Sequence, residues 1–308
     1  MKRALLILLA LAGAFVGWLF AVWPPPLWYR THWPRQTAFM ARPLPIRSIG
    51  AALAARPRQY QPVPLDSIAP YMQDAVMIGE DDNFRTHHGI DYLSLARALG
   101  YARPALEWGD ARDRAALFAV LPHAWSRRDK LRGASTITQQ LAKNLYLSPS
   151  RNPLRKVKEA VTAWRLELAL GKPRIMELYL NVVELGPQLF GVEAASRLYF
   201  KRSARSITRD QAAALAGSLP FPLKSNPATK PGRMRWRQDL ILRRMRGERI
   251  EVPKEEPEEE IIAAPSDSLV PDSVPVDSTA WPVVPADTNP YEPAPVADTT
   301  TPDTSGQP

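Results

Sequence analysis

The two ends of the chain break from the pattern that lies between them. Behind Lys2 and Arg3, nineteen residues from Ala4 to Val22 run without a charge, long enough at about 1.5 Å per residue to cross a hydrocarbon core of about 30 Å. Trp18 and Trp23 stand near the outer end of that run, where amphipathic rings favour a membrane interface. The flank Ala21-Val22-Trp23-Pro24 offers no small-x-small cleavage site, so the pattern predicts an uncleaved anchor rather than a removed signal peptide. From about Glu251 onward the chain instead holds twelve prolines, the acidic run Glu255 to Glu260 and repeated Asp, Ser and Thr. Such a composition cannot bury enough apolar surface to offset chain entropy and predicts a disordered, solvated tail.

Between these ends, Pro64 to Gly247 predicts helix after helix. Pro70 to Ile78 has apolar residues at helical spacing, and Asp91 stands as a capping residue before a segment reaching Gly100. Thr136 with Gln139, and Thr208 with Gln211, give the hydroxyl-x-x-amide pattern of a capping box, the second ahead of the alanine-rich run Ala212 to Ala216. Asn152 followed by Pro153 reads as a further helix start. No long stretch alternates with period two, so the fold class is mostly α.

The helix opened by Asn152 carries one apolar stripe, Leu154, Val157, Val161, Trp164 and Leu168. At about 100° per residue, Arg155, Lys156 and Glu159 fall on roughly the opposite side. A solvated polar face is one reading. Against it, Arg155 and Lys156 occupy the first turn, where the helix dipole already presents positive charge. With Arg151 just upstream, that end is equally readable as a pyrophosphate site.

Charge supports an anionic partner. The net charge of +9 conceals thirteen acids and a single base, Lys254, from Glu251 onward, which leaves the rest of the chain at +21. A basic body of that kind suits phospholipid headgroups, a phosphorylated substrate or nucleic acid. With no cysteine in the chain, disulfides, thiolate nucleophiles and cysteine-bound metals are excluded.

Five stretches concentrate the remaining chemistry: GEDDNFRTHHGID (Gly79 to Asp91), RGASTITQQLAKN (Arg132 to Asn144), RNPLRKVKE (Arg151 to Glu159), GKPRIMELYLN (Gly171 to Asn181) and GVEAASRLYFKR (Gly191 to Arg202). Glu80 closes a predicted helix beside Asp81 and Asp82, a setting expected to make it a better base. Exposed acids or a metal site are the alternatives for those three residues alone. Phe84, His87, Gly89 and Asp91 follow immediately with an aromatic, a polar ring and a tight turn.

In order, spacing and composition these stretches resemble the five motifs of the peptidoglycan glycosyltransferases, across roughly Pro64 to Arg246. The chain is most similar to the monofunctional members of that family, and it has no Ser-x-x-Lys or Lys-Thr-Gly of a transpeptidase. The resemblance implies a lysozyme-like, two-lobed domain with a head and a membrane-proximal jaw. It also implies transfer of a lipid-pyrophosphate-linked glycan onto lipid II, forming β(1→4) bonds with inversion. Glu80 then matches the catalytic base, and Glu159 the second family glutamate, which orients basic groups or holds a divalent ion. Lys143, Arg151, Arg155 and Lys156 match the pyrophosphate cations, and Ser135, Thr136, Gln139 and Gln140 their hydrogen-bonding companions. Asp81, Phe84, His87 and Asn144 complete the implied substrate-binding set, while Glu177, Tyr179, Asn181 and Gly191 are expected to hold the walls of the cleft.

The resemblance implies no obligatory cofactor and leaves open a divalent cation, Mg or Mn, at the pyrophosphate. Its implied partners are lipid II, the nascent strand, membrane lipids and other cell-wall synthesis proteins, with no nucleic acid. Its implied location is the bacterial inner membrane, crossed once, with the catalytic domain on the periplasmic side. The expected organisation is a cytoplasmic start and anchor (1–24), a juxtamembrane linker (25–63), the glycosyltransferase domain (64–249) and the acidic tail (250–308). About forty residues separate Asp91 from Gly133, longer than usual in the family, and the excess at about 104–129 is expected to enlarge a lipid-contacting surface. The rival functions are a lytic transglycosylase or muramidase that cleaves glycan, and a non-catalytic membrane-anchored scaffold.

Overall fold

The computed structural model describes residues 2–42, 57–120, 122, 134–147, 153–250 and 252. Arg151, the Asn152 cap, Arg132, Gly133, the end of the insertion and nearly all of the acidic tail lie outside the described residues. The helices are α1 (Lys2–Phe20), α2 (Pro70–Glu80), α3 (Tyr92–Ala98), α4 (Ala111–Val120), α5 (Ile137–Tyr146), α6 (Pro153–Ala169), α7 (Lys172–Val182), α8 (Val192–Phe200), α9 (Arg209–Ser218) and α10 (Gly232–Met245). Three short strands, β1 (Gln59–Tyr60), β2 (Glu184–Gly186) and β3 (Leu189–Phe190), form a sheet in the order β1-β3-β2. β1 runs parallel to β3, and β2 antiparallel to it.

Local chemistry accounts for the helix starts. The Asp91 carboxylate accepts the Ser94 amide at 2.9 Å, and both predicted capping boxes close reciprocally, Thr136 with Gln139 and Thr208 with Gln211. Helix α2 begins on Pro70, where a missing N–H costs nothing.

The core joins Met72, Ala75 and Val76 of α2 to Ile137, Leu141 and Ala142 of α5, Ile175, Leu178 and Val182 of α7, Ala212 to Ala216 of α9 and Ile241 of α10. Helices α9 and α10 pack against each other and against α2, while α5 packs against α6 and α7. The two sets bring the end of α2 to the face of α5.

Helix α6 is amphipathic in the reverse of the usual sense. Its charged Glu159 is 2% exposed and lies in line with buried Thr162, Ala163, Leu166 and Ala169, whereas Leu154, Val157, Trp164 and Leu168 are exposed. The end of helix α1 meets this element, with the Lys158 ammonium 4.6 Å from the Trp18 ring centroid. Arg165 donates to the Phe20 carbonyl oxygen at 2.6 Å.

The stretch expected as a linker is, over its described part, built into the fold. A 3-10 turn at Pro26–Arg30 buries Tyr29. Arg30 donates to the Ala169 carbonyl oxygen at 2.6 Å, and Arg174 donates to the carbonyls of Tyr29 at 2.7 Å and His32 at 2.9 Å. The segment thereby caps the end of α6 and ties to α7.

Candidate active site

Glu80 ends α2 with its side chain buried. Its Oε2 accepts from the Gln140 amide at 2.8 Å, and its Oε1 accepts from Arg237 Nη2 at 2.8 Å. Arg237, 1% exposed, also donates to the Gly79 carbonyl at 2.6 Å. Tyr179 donates its hydroxyl to Gln140 Oε1 at 3.0 Å. Burial, reinforced by the Glu80 charge, pushes the Tyr179 phenol far up, so it remains a donor. This relay fixes the orientation of the Gln140 amide, whose oxygen accepts while its nitrogen donates.

The acids expected to flank Glu80 turn elsewhere. Asp81 is buried, accepts from the His87 ring at 2.9 Å and 3.0 Å and from the Ile137 amide at 2.9 Å, and so braces the start of α5. Asp82 meets Arg244 at 3.3 Å on the surface. The immediate electrostatic neighbour of Glu80 is therefore a guanidinium. Phe84 is buried with its ring edge toward His87. Gly89 rests this loop on α6 at φ 90°, and an added Cβ would lie 3.2 Å from the Ala163 backbone.

The second glutamate sits among cations. Glu159 Oε2 accepts from Arg155 at 2.7 Å, its Oε1 pairs with Lys156, and Lys156 also donates to Ser135 Oγ at 2.8 Å. Lys143, from the last turn of α5, feels Glu159 and Glu80 together. Burial pushes its ammonium below the ordinary lysine value, Glu159 and Glu80 oppose that, and Lys156 adds to it. The sequence-predicted Glu80, Glu159, Ser135, Gln140, Lys143, Arg155 and Lys156 thus gather at one locality.

Other predicted binders are committed to scaffolding. Thr136 donates to the Gly89 carbonyl at 2.6 Å, and Gln139 Oε1 accepts the Thr136 amide at 3.1 Å. Asn144 is buried. Among the wall residues, Glu177 accepts the Leu65 amide and Asn181 the Val63 amide, both at 2.8 Å. Gly191 adopts φ 85°, and a Cβ there would lie 2.5 Å from the Asn181 carbonyl oxygen.

At Glu159 both carboxylate oxygens are engaged by cations, Arg155 and Lys156, whose positive charges disfavour a divalent cation beside them. Among the described residues no three His, Asp or Glu side chains group as metal ligands.

Sequence reasoning missed Arg237. Its signal is positional, since Met234, Arg237 and Ile241 form the buried stripe of α10, which places an arginine on the apolar face.

The sequence model of the transglycosylase family matches residues 47–104 and 110–246. The chain belongs to the transglycosylase family. It is 37% identical over 249 residues to a biosynthetic peptidoglycan transglycosylase of Bordetella pertussis, covering 80% of this chain and 91% of that protein. Proteins of the same name from Shewanella amazonensis (42% over 190 residues, 61% and 67% covered) and Acinetobacter baylyi (35% over 244 residues, 79% and 95% covered) are also similar. Both buried glutamates and the cations around them lie within, or at residue 237 near the end of, the stretch that the transglycosylase model covers.

Proposed function

We infer that this chain is a peptidoglycan glycosyltransferase that polymerises glycan strands, using a lipid-pyrophosphate-linked glycan as donor and lipid II as acceptor. The observation that carries the reading is the presence of two buried glutamates, held by different partners, that both act electrostatically on Lys143. Glu80 is aligned by Gln140 and Arg237, while Glu159 organises Arg155 and Lys156.

The chemistry follows from that division. A sugar hydroxyl is a poor nucleophile at neutral pH, so Glu80 accepts its proton as the oxygen bonds to the donor's anomeric carbon. Each carboxylate oxygen has a second lone pair beyond the one used by its hydrogen bond, which leaves room for that proton. The bond from the anomeric carbon to the pyrophosphate oxygen breaks, and its electron pair departs with the pyrophosphate. Lys143, Arg155 and Lys156 offset the growing charge, so the leaving group needs no proton. Attack opposite the departing pyrophosphate gives a β(1→4) bond with inversion.

Among the described residues one helix, α1, is long and apolar enough to cross a membrane. The positive residues Lys2 and Arg3 favour an amino end in the cytoplasm, which would leave the glycosyltransferase domain on the outer face of the inner membrane.

Incubating the full chain in detergent with fluorescent lipid II, beside Glu80→Gln, tests the reading by gel separation and muramidase digestion. Muramidase-sensitive polymer from the unsubstituted chain alone is expected. Shortening of preformed glycan, with no polymer made, would replace it with a lytic activity.

A further inference from the structure

The segment between the membrane helix and the transglycosylase domain reaches the cation cluster through Lys143. It does so ahead of residue 47, where the family match begins. The amides of Ala38 and Phe39 donate to the carbonyls of Leu145 and Asn144, both at 3.1 Å. These carbonyls belong to the last turn of α5, which lacks partners of its own. The strap therefore docks on the end of the helix that carries Gln140 and Lys143. Buried Thr37 accepts the Met40 amide at 3.1 Å, and Met40 joins the core, which closes a turn.

That turn presents Phe39 to two cations. The Arg42 guanidinium carbon lies 4.0 Å from the ring centroid, and the Lys143 ammonium nitrogen 5.4 Å. Arg42 also pairs through Nη2 with Oε2 of Glu184, the buried acid that opens β2. The other oxygen of that carboxylate, Oε1, is buried and has no hydrogen-bond partner among the described residues. Burial pushes the Glu184 carboxyl up, while Arg42 and then Lys143 pull it down.

Lys143 thus acts electrostatically on Glu184 as well as on the acids of the site, and it shares the Phe39 ring with Arg42, the cation that pairs with Glu184. A buried carboxylate with an unpaired oxygen is a strong competitor for a neighbouring ammonium. We propose that Arg42 is a positioning residue for Lys143, neutralising Glu184 so that the ammonium, steadied by the Phe39 ring, stays available to the pyrophosphate. The inference rests on the reading of Lys143 as a pyrophosphate cation. It makes the juxtamembrane strap part of the active site's construction. Without Arg42, Lys143 turns to Glu184 and its charge is lost to the reaction.

Arg42→Ala and Arg42→Met, the second keeping an unbranched stem over Phe39, are compared with Arg42→Lys and with Arg42→Met/Glu184→Gln. The assay is initial-rate polymerisation of lipid II by the full chain. The uncharged single variants are expected to lose roughly 10- to 100-fold in kcat, the range a misplaced catalytic group produces. Arg42→Lys retains most of the rate, and removing the competing charge in the double variant restores it to within several-fold of wild type. A double variant as slow as Arg42→Met, at an unchanged melting temperature, overturns the proposal, as does a full rate in Arg42→Met. A second readout needs no turnover: acylation of Lys143 by an N-hydroxysuccinimide ester, mapped by mass spectrometry. Labelling should fall in Arg42→Met and return in the double variant, and equal labelling in all of them also overturns the proposal. If the unsubstituted chain makes no polymer, the glycosyltransferase reading fails, while the labelling series still decides the relation of Arg42 to Lys143.

Discussion

Arg237 and Glu80, 157 residues apart in sequence, form a buried ion pair at 2.8 Å. A pair this enclosed is costly to break from one side, about 3–5 kcal/mol, because the remaining charge is left uncompensated. Arg237→Met should therefore lower stability by about that amount, and Glu80→Gln should lower it less, since the amide keeps hydrogen-bonding capacity. The double variant Arg237→Met/Glu80→Gln should recover most of the stability and remain inactive. Thermal unfolding in detergent, read beside the polymerisation assay, separates the two roles. A double variant no more stable than Arg237→Met would mean that the pair does not couple.

The depressed ammonium of Lys143 gives the rate an alkaline limit. A lysine held below its ordinary value is charged below its own pKa and loses that charge as pH rises through it. If the cation neutralises the leaving pyrophosphate, the rate should fall with rising pH before an ordinary lysine titrates at about 10.4. Lys143→Arg, which stays charged, should move that limb upward at a reduced maximum rate. Lys143→Ala should lose roughly 100- to 1,000-fold, as loss of one transition-state donor does. Initial-rate profiles of the three proteins check this.

Gln139 and Gln140 are adjacent in the same motif, yet the fold gives them different work. Gln139 closes the α5 capping box, whereas Gln140 bridges Tyr179 to Glu80. Gln139→Ala is expected to cost about 1 kcal/mol of stability and less in rate. Gln140→Ala should cost more than tenfold in kcat with a smaller change in melting temperature. Equal rate losses in the two variants would contradict this division.

Much of this arrangement was legible in the sequence because it is local. Capping at Asp91, Thr136 and Thr208, and the helices that follow, depend on contacts within a few residues. The gathering of Glu80, Glu159 and the cations was legible through motif order. Arg237 was missed, since four other arginines share its helix and its place in line with Met234 and Ile241 gains meaning only with the approach of α10 to α2. Arg42 was missed too, since its partner Glu184 lies 142 residues on, in a strand too short to show alternation. The composition around Glu80 suggested an acidic setting, but the backbone turns Asp81 toward His87 and the start of α5.

The reversed faces of α6 carry the last prediction. Leu154, Val157, Trp164 and Leu168 are 47–65% exposed on a helix that packs beside the apolar α1. Water would disfavour such a stripe, and a lipid interface would favour it by on the order of 1 kcal/mol for each side chain it half covers. Lys158 and Arg165 lie on the same helix and reach Trp18 and the Phe20 carbonyl, which puts cations at the carboxyl-terminal end of α1. Replacing Trp164 and Leu168 with Gln should leave thermal stability within about 0.5 kcal/mol, because neither side chain supports the core. The same double substitution in a chain lacking residues 2–20 should weaken sedimentation with anionic vesicles by roughly tenfold, the effect of about 1.4 kcal/mol. Unchanged vesicle binding would mean that the stripe does not meet lipid. A large loss of stability would instead place it against protein.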